Sequence, residues 1–231
     1  MKFPTYKHET QKHEQGFFHV AGCDEVGIAP LAGPVVAATV ILDPVSIGKQ
    51  RSKSKWWYRV RDSKTTNEDE RAELLPFIQD HCLDFAVGIV ARETIDEINI
   101  HQAAMLAMKK SICGLKKIPD YLFLDGIHKI KTIHMAQESV IDGDEKILSI
   151  SAASIIAKVA RDEILHRLHE QFPEYGFAKH KGYPTKFHRA AMERYGITPE
   201  HRRSFGFVKI CLEKIGSYQH FQESLSIPDL I

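Results

Sequence analysis

The sequence offers little to build a metal knuckle from: Cys23, Cys82, Cys113 and Cys211 lie far apart and form no C-x-x-C pair. That spacing argues against a structural zinc site. Long apolar runs are also missing. The longest, Leu31 to Leu42, is too short to span a bilayer and reads as core strand. The first fifteen residues, MKFPTYKHETQKHEQ, lack the apolar centre of a signal peptide, so a cytoplasmic protein in a reducing compartment is expected, with no membrane partner. Nor is there an excess of one charge. Thirty-one Lys+Arg face thirty Asp+Glu, a net charge of +1, so the overall balance does not advertise nucleic acid. We find no internal repeat and no low-complexity segment. What is present, 231 residues of which 43% are hydrophobic and 26% charged, suits an ordinary domain with a real core.

The chain is organised around FFHVAGCDEVGIAPLAGPVVAATVIL, residues 17 to 42. It reads as a strand running into Asp24 and Glu25, a turn through Gly27 and Gly33-Pro34, and a second strand from Val35. Adjacent acids inside an apolar hairpin call for a cation, a basic residue or open solvent, because a lone buried carboxylate costs several kcal/mol. A solvated turn is the plainer reading of the pair. Two further strands end the same way, at Asp125-Gly126 and at Asp142-Gly143-Asp144. Functional groups collect where strands of open α/β sheets terminate, so a shared site gains support.

Other elements follow from periodicity. Helix is expected over 67–80, with acids at its amino end, strand over 83–92, and a long helix or two over 93–115. Strands are expected at 121–124 and 139–141, and a helix at 148–170, capped by Ser149 or Ser151. The stretch 175–185 reads as a loop, with a helix at 186–195 behind it. Between residues 49 and 64, seven Lys/Arg surround Trp56-Trp57-Tyr58, a pattern that suits a phosphate backbone and bases or, more plainly, a solvated loop. The whole is an α/β fold, a mixed β-sheet flanked by helices.

Asp24, Glu25, Asp125 and Asp144 are all oxygen donors, which suit Mg²⁺ or Mn²⁺ rather than zinc. Cations would relieve the repulsion among them. Two metals about 3.5–4 Å apart can support an in-line phosphoryl displacement. Glycoside hydrolysis by paired carboxylates competes with this reading but leaves the basic loops unexplained.

Six stretches then carry a resemblance: AGCDEVGIAPLAGPVVAA, DSK at 62–64, FLDG at 123–126, SAASIIAKVARD at 151–162, YGFAKHKGYPT at 175–185 and HRRSF at 201–205. In this order, over about 18–210, they resemble bacterial ribonuclease HII, the type 2 ribonuclease H. The resemblance implies a ribonuclease H-like fold with a small helical C-terminal extension. It leaves the ends uncovered, and the expected layout is a flexible lead-in at 1–15 and a polar tail at 216–231, read from their polar composition, around a catalytic domain at 16–172 and a substrate-binding loop and extension at 173–215.

It further implies hydrolysis of RNA in RNA/DNA hybrids and incision 5′ of ribonucleotides embedded in DNA, giving 3′-hydroxyl and 5′-phosphate ends. Asp24, Glu25, Asp125 and Asp144 correspond to the metal ligands, with Asp142 an alternative for the fourth and Asp162 more structural in character. Tyr183 corresponds to the tyrosine that stacks at the RNA–DNA junction. Ser63, Lys64, Lys181, Arg202 and Arg203 would contact substrate, although Arg202 or Arg203 could instead pair with an acid to tie the extension down. His180 is open between organising the loop and touching substrate.

Where the family has Gly-Arg-Gly, this chain has Gly27-Ile28-Ala29. The change removes a charge-assisted contact and adds a Cβ beside the sugar, so altered junction recognition is expected. The residues at 49–61 could compensate. A hybrid-binding protein with little catalysis and another nuclease on the same fold are the alternatives. A monomer is expected. Gln222-Glu223-Ser224-Leu225 reads as a frayed terminus, with docking to a replication clamp as the other possibility.

Overall fold

A computed structural model describes residues 3–48, 56–60 and 66–215. Fourteen helices and strands follow in the order α1 (Lys7–Glu14), β1 (Val20–Val26), β2 (Val35–Leu42), α2 (Pro44–Gly48), α3 (Glu68–Asp80), β3 (Cys82–Val90), α4 (Arg92–Ile98), α5 (Ile100–Cys113), β4 (Tyr121–Asp125), β5 (Ala136–Val140), α6 (Leu148–Gln171), α7 (Phe177–His180), α8 (Lys186–Tyr195) and α9 (Gly206–Ile215). The five strands make one mixed sheet in the order β3-β2-β1-β4-β5. β1 and β2 are antiparallel, whereas β1, β4 and β5 run parallel.

The chain divides into two compact units. The first comprises 1–26, 36–89 and 104–160; the second comprises 27–35, 90–103 and 161–231. In the first, β2 (VVAATVIL) is buried along its whole length, as expected for a β-branched run inside a sheet covered on both faces. A cluster of Val20, Tyr121, Phe123, Ile147 and Ile150 packs the start of α6 against β1 and β4. Gly22 makes that approach possible: a Cβ there would lie 2.3 Å from the backbone carbon of Ser149. In the second unit, Leu31, Leu165, Tyr175, Phe177, Met192, Ile197 and Val208 form the core.

Helix boundaries have local causes. The Asn67 side chain accepts from Glu70 N–H while Glu70 reaches back to Asn67 N–H, a capping box at the start of α3. Thr185 caps α8. The expected helix at 93–115 is two helices, parted at Asn99, whose φ of 68° lies in the left-handed region. The loop at 175–185 contains the short α7.

The lead-in is the main departure. Residues 7–14 are helical, and Glu9 is fully buried. The Glu9 Oε1 accepts the Ser149 N–H at 2.8 Å, so an acid from α1, rather than Ser149 or Ser151, serves the amino end of α6. Thr5 forms a parallel bridge with Ile147, which anchors the same segment. No helix among the described residues is long and apolar enough to cross a membrane.

Candidate active site

Parallel pairing brings the carboxyl ends of β1, β4 and β5 to one edge of the sheet. Cys23 pairs with Leu124 and Asp125 with Val140, so Asp24 and Asp125 occupy adjacent strand ends. After β5, a left-handed residue at Asp142 (φ 52°) turns the chain into a single 3-10 turn, Gly143–Glu145. The Gly143 N–H donates to Asp125 Oδ1 at 2.7 Å, which ties the turn to β4. Asp144 is then 4% exposed, while its neighbour Asp142 is exposed. Of these two acids, Asp144 is the one whose charge acts on Asp24.

Asp24 is 5% exposed. Burial pushes its carboxyl well above the usual range, and the negative charges of Glu25, Asp125 and Asp144 push it further, against a hydrogen bond from the Ser154 hydroxyl. Asp24 Oδ1 also accepts the Glu25 N–H at 2.8 Å. Among the described residues no group of three or more acidic, histidine or cysteine side chains is set closely enough to hold a metal ion. The charges of Glu25, Asp125 and Asp144 nonetheless reach Asp24 and repel its own. A divalent cation relieves such repulsion, and an all-oxygen donor set fits a hard cation.

The second unit contains the turn Gly27–Pro34, which is moulded by two buried guanidiniums. Arg202 donates from Nε to Gly33 O (2.9 Å), from Nη1 to Ile28 O (3.0 Å), and from Nη2 to Gly27 O (2.6 Å) and Pro34 O (3.1 Å). Arg161 donates from Nε to Pro34 O (3.0 Å), from Nη1 to Lys181 O (3.0 Å) and from Nη2 to Ala32 O (3.1 Å). Burial draws Arg161 down to about 10, and burial together with Arg161 draws Arg202 down to about 9, values that leave both charged at neutral pH. Gly27 has φ +99°, and a Cβ there would meet Arg161 Nε at 2.5 Å, so this glycine is required on both counts.

The ribonuclease HII family model matches residues 21–208. The chain belongs to the ribonuclease HII family. It is 47% identical over 197 residues to the ribonuclease HII of Clostridioides difficile, which covers 85% of this chain and 73% of that one. Its fold is similar to ribonuclease H2 from Pyrococcus horikoshii, with a TM-score of 0.70, 24% identity and coverage of 89% and 100% of the two chains. It is also similar in fold to Bst-RNase HIII solved with Mn²⁺, with a TM-score of 0.65, 18% identity and coverage of 87% and 71%. As a ribonuclease HII, the protein is a ribonuclease H, a nuclease of the hydrolase class.

Within this ribonuclease HII, several residues expected to meet substrate are placed otherwise. Arg202 is buried and its guanidinium is engaged by the backbone carbonyls of the Gly27–Pro34 turn, which corrects its expected phosphate contact; these hydrogen bonds go to carbonyls rather than to the acid expected as the alternative partner. Lys181 is 7% exposed, with Nζ 2.6 Å from His166 Nε2, so it too lies inside. Its left-handed backbone (φ 49°) ends α7. Arg203 is exposed, and its N–H donates to Asp96 Oδ2. Tyr183 is 39% exposed.

His180 organises the loop, donating from Nε2 to Tyr175 O and accepting the Gly182 N–H on Nδ1. Among the described non-glycine residues only Asn99, Asp142 and Lys181 have positive φ, so Ala29 occupies the family's second glycine position without left-handed strain. Ser63 and Lys64 lie outside the described residues, as does most of the basic stretch. Arg59 pairs with Glu73 on the surface, and Trp57 is buried.

Sequence reasoning passed over Glu9, Ser154, Arg161, His188 and His201. Arg161 lies in the stretch SAASIIAKVARD beside Asp162, and its burial is not legible from the letters. His188 carried no signal at all.

Proposed function

We propose that this ribonuclease HII hydrolyses RNA in RNA/DNA hybrids and incises 5′ of single ribonucleotides in duplex DNA, using Asp24, Glu25, Asp125 and Asp144 to hold Mg²⁺ or Mn²⁺. The observation that supports this reading is the buried Asp24 carboxyl, which feels the charges of Glu25 beside it on β1, of Asp125 at the end of β4 and of Asp144 in the turn after β5. Such a cluster has no structural benefit, since uncompensated buried charge is destabilising. When bound, the metal would activate a water and stabilise the departing oxygen. The water oxygen bonds to phosphorus as the P–O3′ bond breaks, and the 3′ oxygen leaves with a proton, giving a 3′-hydroxyl and a 5′-phosphate.

The chain's own groups would do the positioning. Gly143 N–H and Ser154 orient Asp125 and Asp24. Tyr183, half-exposed on a glycine-flanked loop, would stack against a base at the junction. Gly27, Ile28 and Ala29 would present backbone to the sugar, with Arg203 in reach of solvent for a phosphate. Ile28 in place of arginine forgoes a charge-assisted contact, so binding at the junction is weaker than in relatives that keep Gly-Arg-Gly. Docking to a replication clamp would fall to residues 222–225, outside the described residues.

The test is cleavage of an end-blocked duplex with one embedded ribonucleotide, in Mg²⁺ and in Mn²⁺, beside Asp125→Asn. Incision at the ribonucleotide by the wild type alone supports the reading. Metal-independent binding without product in either metal would sink it.

A further inference from the structure

Beneath the exposed Tyr183 ring lies a run of buried polar side chains that the cleavage chemistry does not use. His188 and His201 are both fully buried, with Nε2 atoms 3.0 Å apart. Their outer nitrogens meet backbone groups of fixed polarity. Thr198 N–H reaches His201 Nδ1 at 2.9 Å, and an N–H can only donate. His188 Nδ1 lies 2.9 Å from the Tyr183 carbonyl oxygen, which can only accept.

Both tautomers follow. His201 Nδ1 is the acceptor, so its proton sits on Nε2. His188 Nδ1 carries the proton, so its Nε2 is the acceptor. The Nε2–Nε2 contact therefore runs one way, from His201 to His188, and the complete chain is Thr198 N–H to His201 to His188 to Tyr183 O. A protonated imidazole has two donors and no acceptor, and either ring in that form would break the chain.

The surroundings keep the rings neutral. Burial pushes His188 down to about 4 and His201 well below the ordinary histidine range. Phe177 meets His188 edge-on at 5.4 Å, Tyr175 lies 5.4 Å from His201, and His180 stacks on His188 at 4.5 Å. The Tyr183 backbone is held at both ends: its N–H donates to His180 O and its carbonyl also accepts Thr185 N–H, each at 2.8 Å. The ring, by contrast, faces solvent.

We propose that His188 and His201 are positioning residues, acting with Thr198 as a directed hydrogen-bond chain that fixes the Tyr183 backbone and so the angle at which its ring meets the substrate. This rests on the reading of Tyr183 as the stacking residue. A stacked aromatic discriminates only if its ring plane is preset, and misplacement by about 1 Å can cost roughly 100-fold. A chain with a single allowed direction admits one backbone position, whereas apolar packing alone would tolerate several.

Two measurements test the proposal. Long-range ¹H–¹⁵N correlation of the imidazoles in the wild-type protein at neutral pH should show His188 as the Nδ1–H tautomer and His201 as the Nε2–H tautomer. The opposite tautomer at either ring, or a protonated ring, overturns the chain without any variant. Kinetics on a duplex with one ribonucleotide then compare His188→Phe, His188→Asn, Tyr183→Ala and the double variant His188→Phe/Tyr183→Ala.

His188→Phe keeps an aromatic ring, slightly larger than imidazole, but cannot donate, and kcat/KM should fall roughly 10- to 100-fold. His188→Asn, whose amide can donate from nearly the same place, should recover most of that loss. The double variant should be no worse than Tyr183→Ala. Wild-type kinetics in His188→Phe, no recovery in His188→Asn, or losses that multiply in the double variant overturn the proposal while leaving Tyr183 in its role. An inert Tyr183→Ala removes the reading beneath it, and the proposal with it.

Discussion

Replacing Arg202 tests whether this arginine is a clamp inside the protein or a hand for phosphate. Its guanidinium makes four hydrogen bonds to carbonyls of Gly27, Ile28, Gly33 and Pro34. At about 1.5–3 kcal/mol for a bond to a charged group, simple addition gives about 6–12 kcal/mol. The cost of burying the ion offsets several kcal/mol of this, and removing one side of a buried charge arrangement typically costs about 3–5 kcal/mol. Arg202→Met fills similar volume without donors and leaves the four carbonyls short of partners. A loss of about 3–5 kcal/mol in a chain of this size lowers Tm by about 6–20 °C.

The matching assay is thermal unfolding together with the salt dependence of binding to an RNA/DNA hybrid. A phosphate-holding arginine would subtract about 0.9 from the slope of log K against log salt when removed, whereas an internal clamp leaves that slope unchanged. A Tm within about 3 °C of wild type, or a slope reduced by about one, would refute the internal role.

Three further outcomes are expected. Asp125→Asn should lower metal-dependent cleavage by at least about 100-fold, beyond the loss typical of residues that only support a metal ligand, without lowering Tm, because it removes a like charge facing Asp24; retained cleavage would exclude Asp125 from the chemistry. Glu9 has its carboxyl pushed up by burial, from 4.5 to about 7, so the folded state holds a proton that the unfolded state has released between those values. Stability should therefore fall as pH rises from about 4.5 to about 7, by about 3 kcal/mol in total, and Glu9→Gln should lose this slope in denaturation curves at pH 4.5 and 7.5; an identical slope in both proteins contradicts the assignment. Ile28→Arg/Ala29→Gly should restore a charge-assisted contact of about 1.5–3 kcal/mol, seen as a KM on single-ribonucleotide duplex lower by about 10- to 150-fold, and an unchanged KM would show that the native turn already suffices.

The strand ends were legible because a strand, its terminating glycine and its acid are neighbours in the chain. Asp24-Glu25 and Asp125-Gly126 needed only local patterning to be singled out, and the ordered motifs needed only the letters. The motif already put Asp144 ahead of Asp142, but the letters could not show that one is buried and the other exposed. That difference depends on a left-handed turn at Asp142, tied to β4 by a hydrogen bond from Gly143 to Asp125. Arg202 and Lys181 misled for the opposite reason: basic residues in a nucleic-acid enzyme read as phosphate contacts unless their burial is known.

The sequence by itself determined the family and most of the elements, since periodicity, turn residues and motif order are written in consecutive positions. Only the tertiary structure decided which charges face inward, that residues 7–14 form a helix whose Glu9 serves the start of α6, and that two histidines thirteen positions apart meet through their Nε2 atoms. Burial and hydrogen-bond partnership are properties of groups brought together across long stretches of chain, and they set the charge state and the role of each side chain.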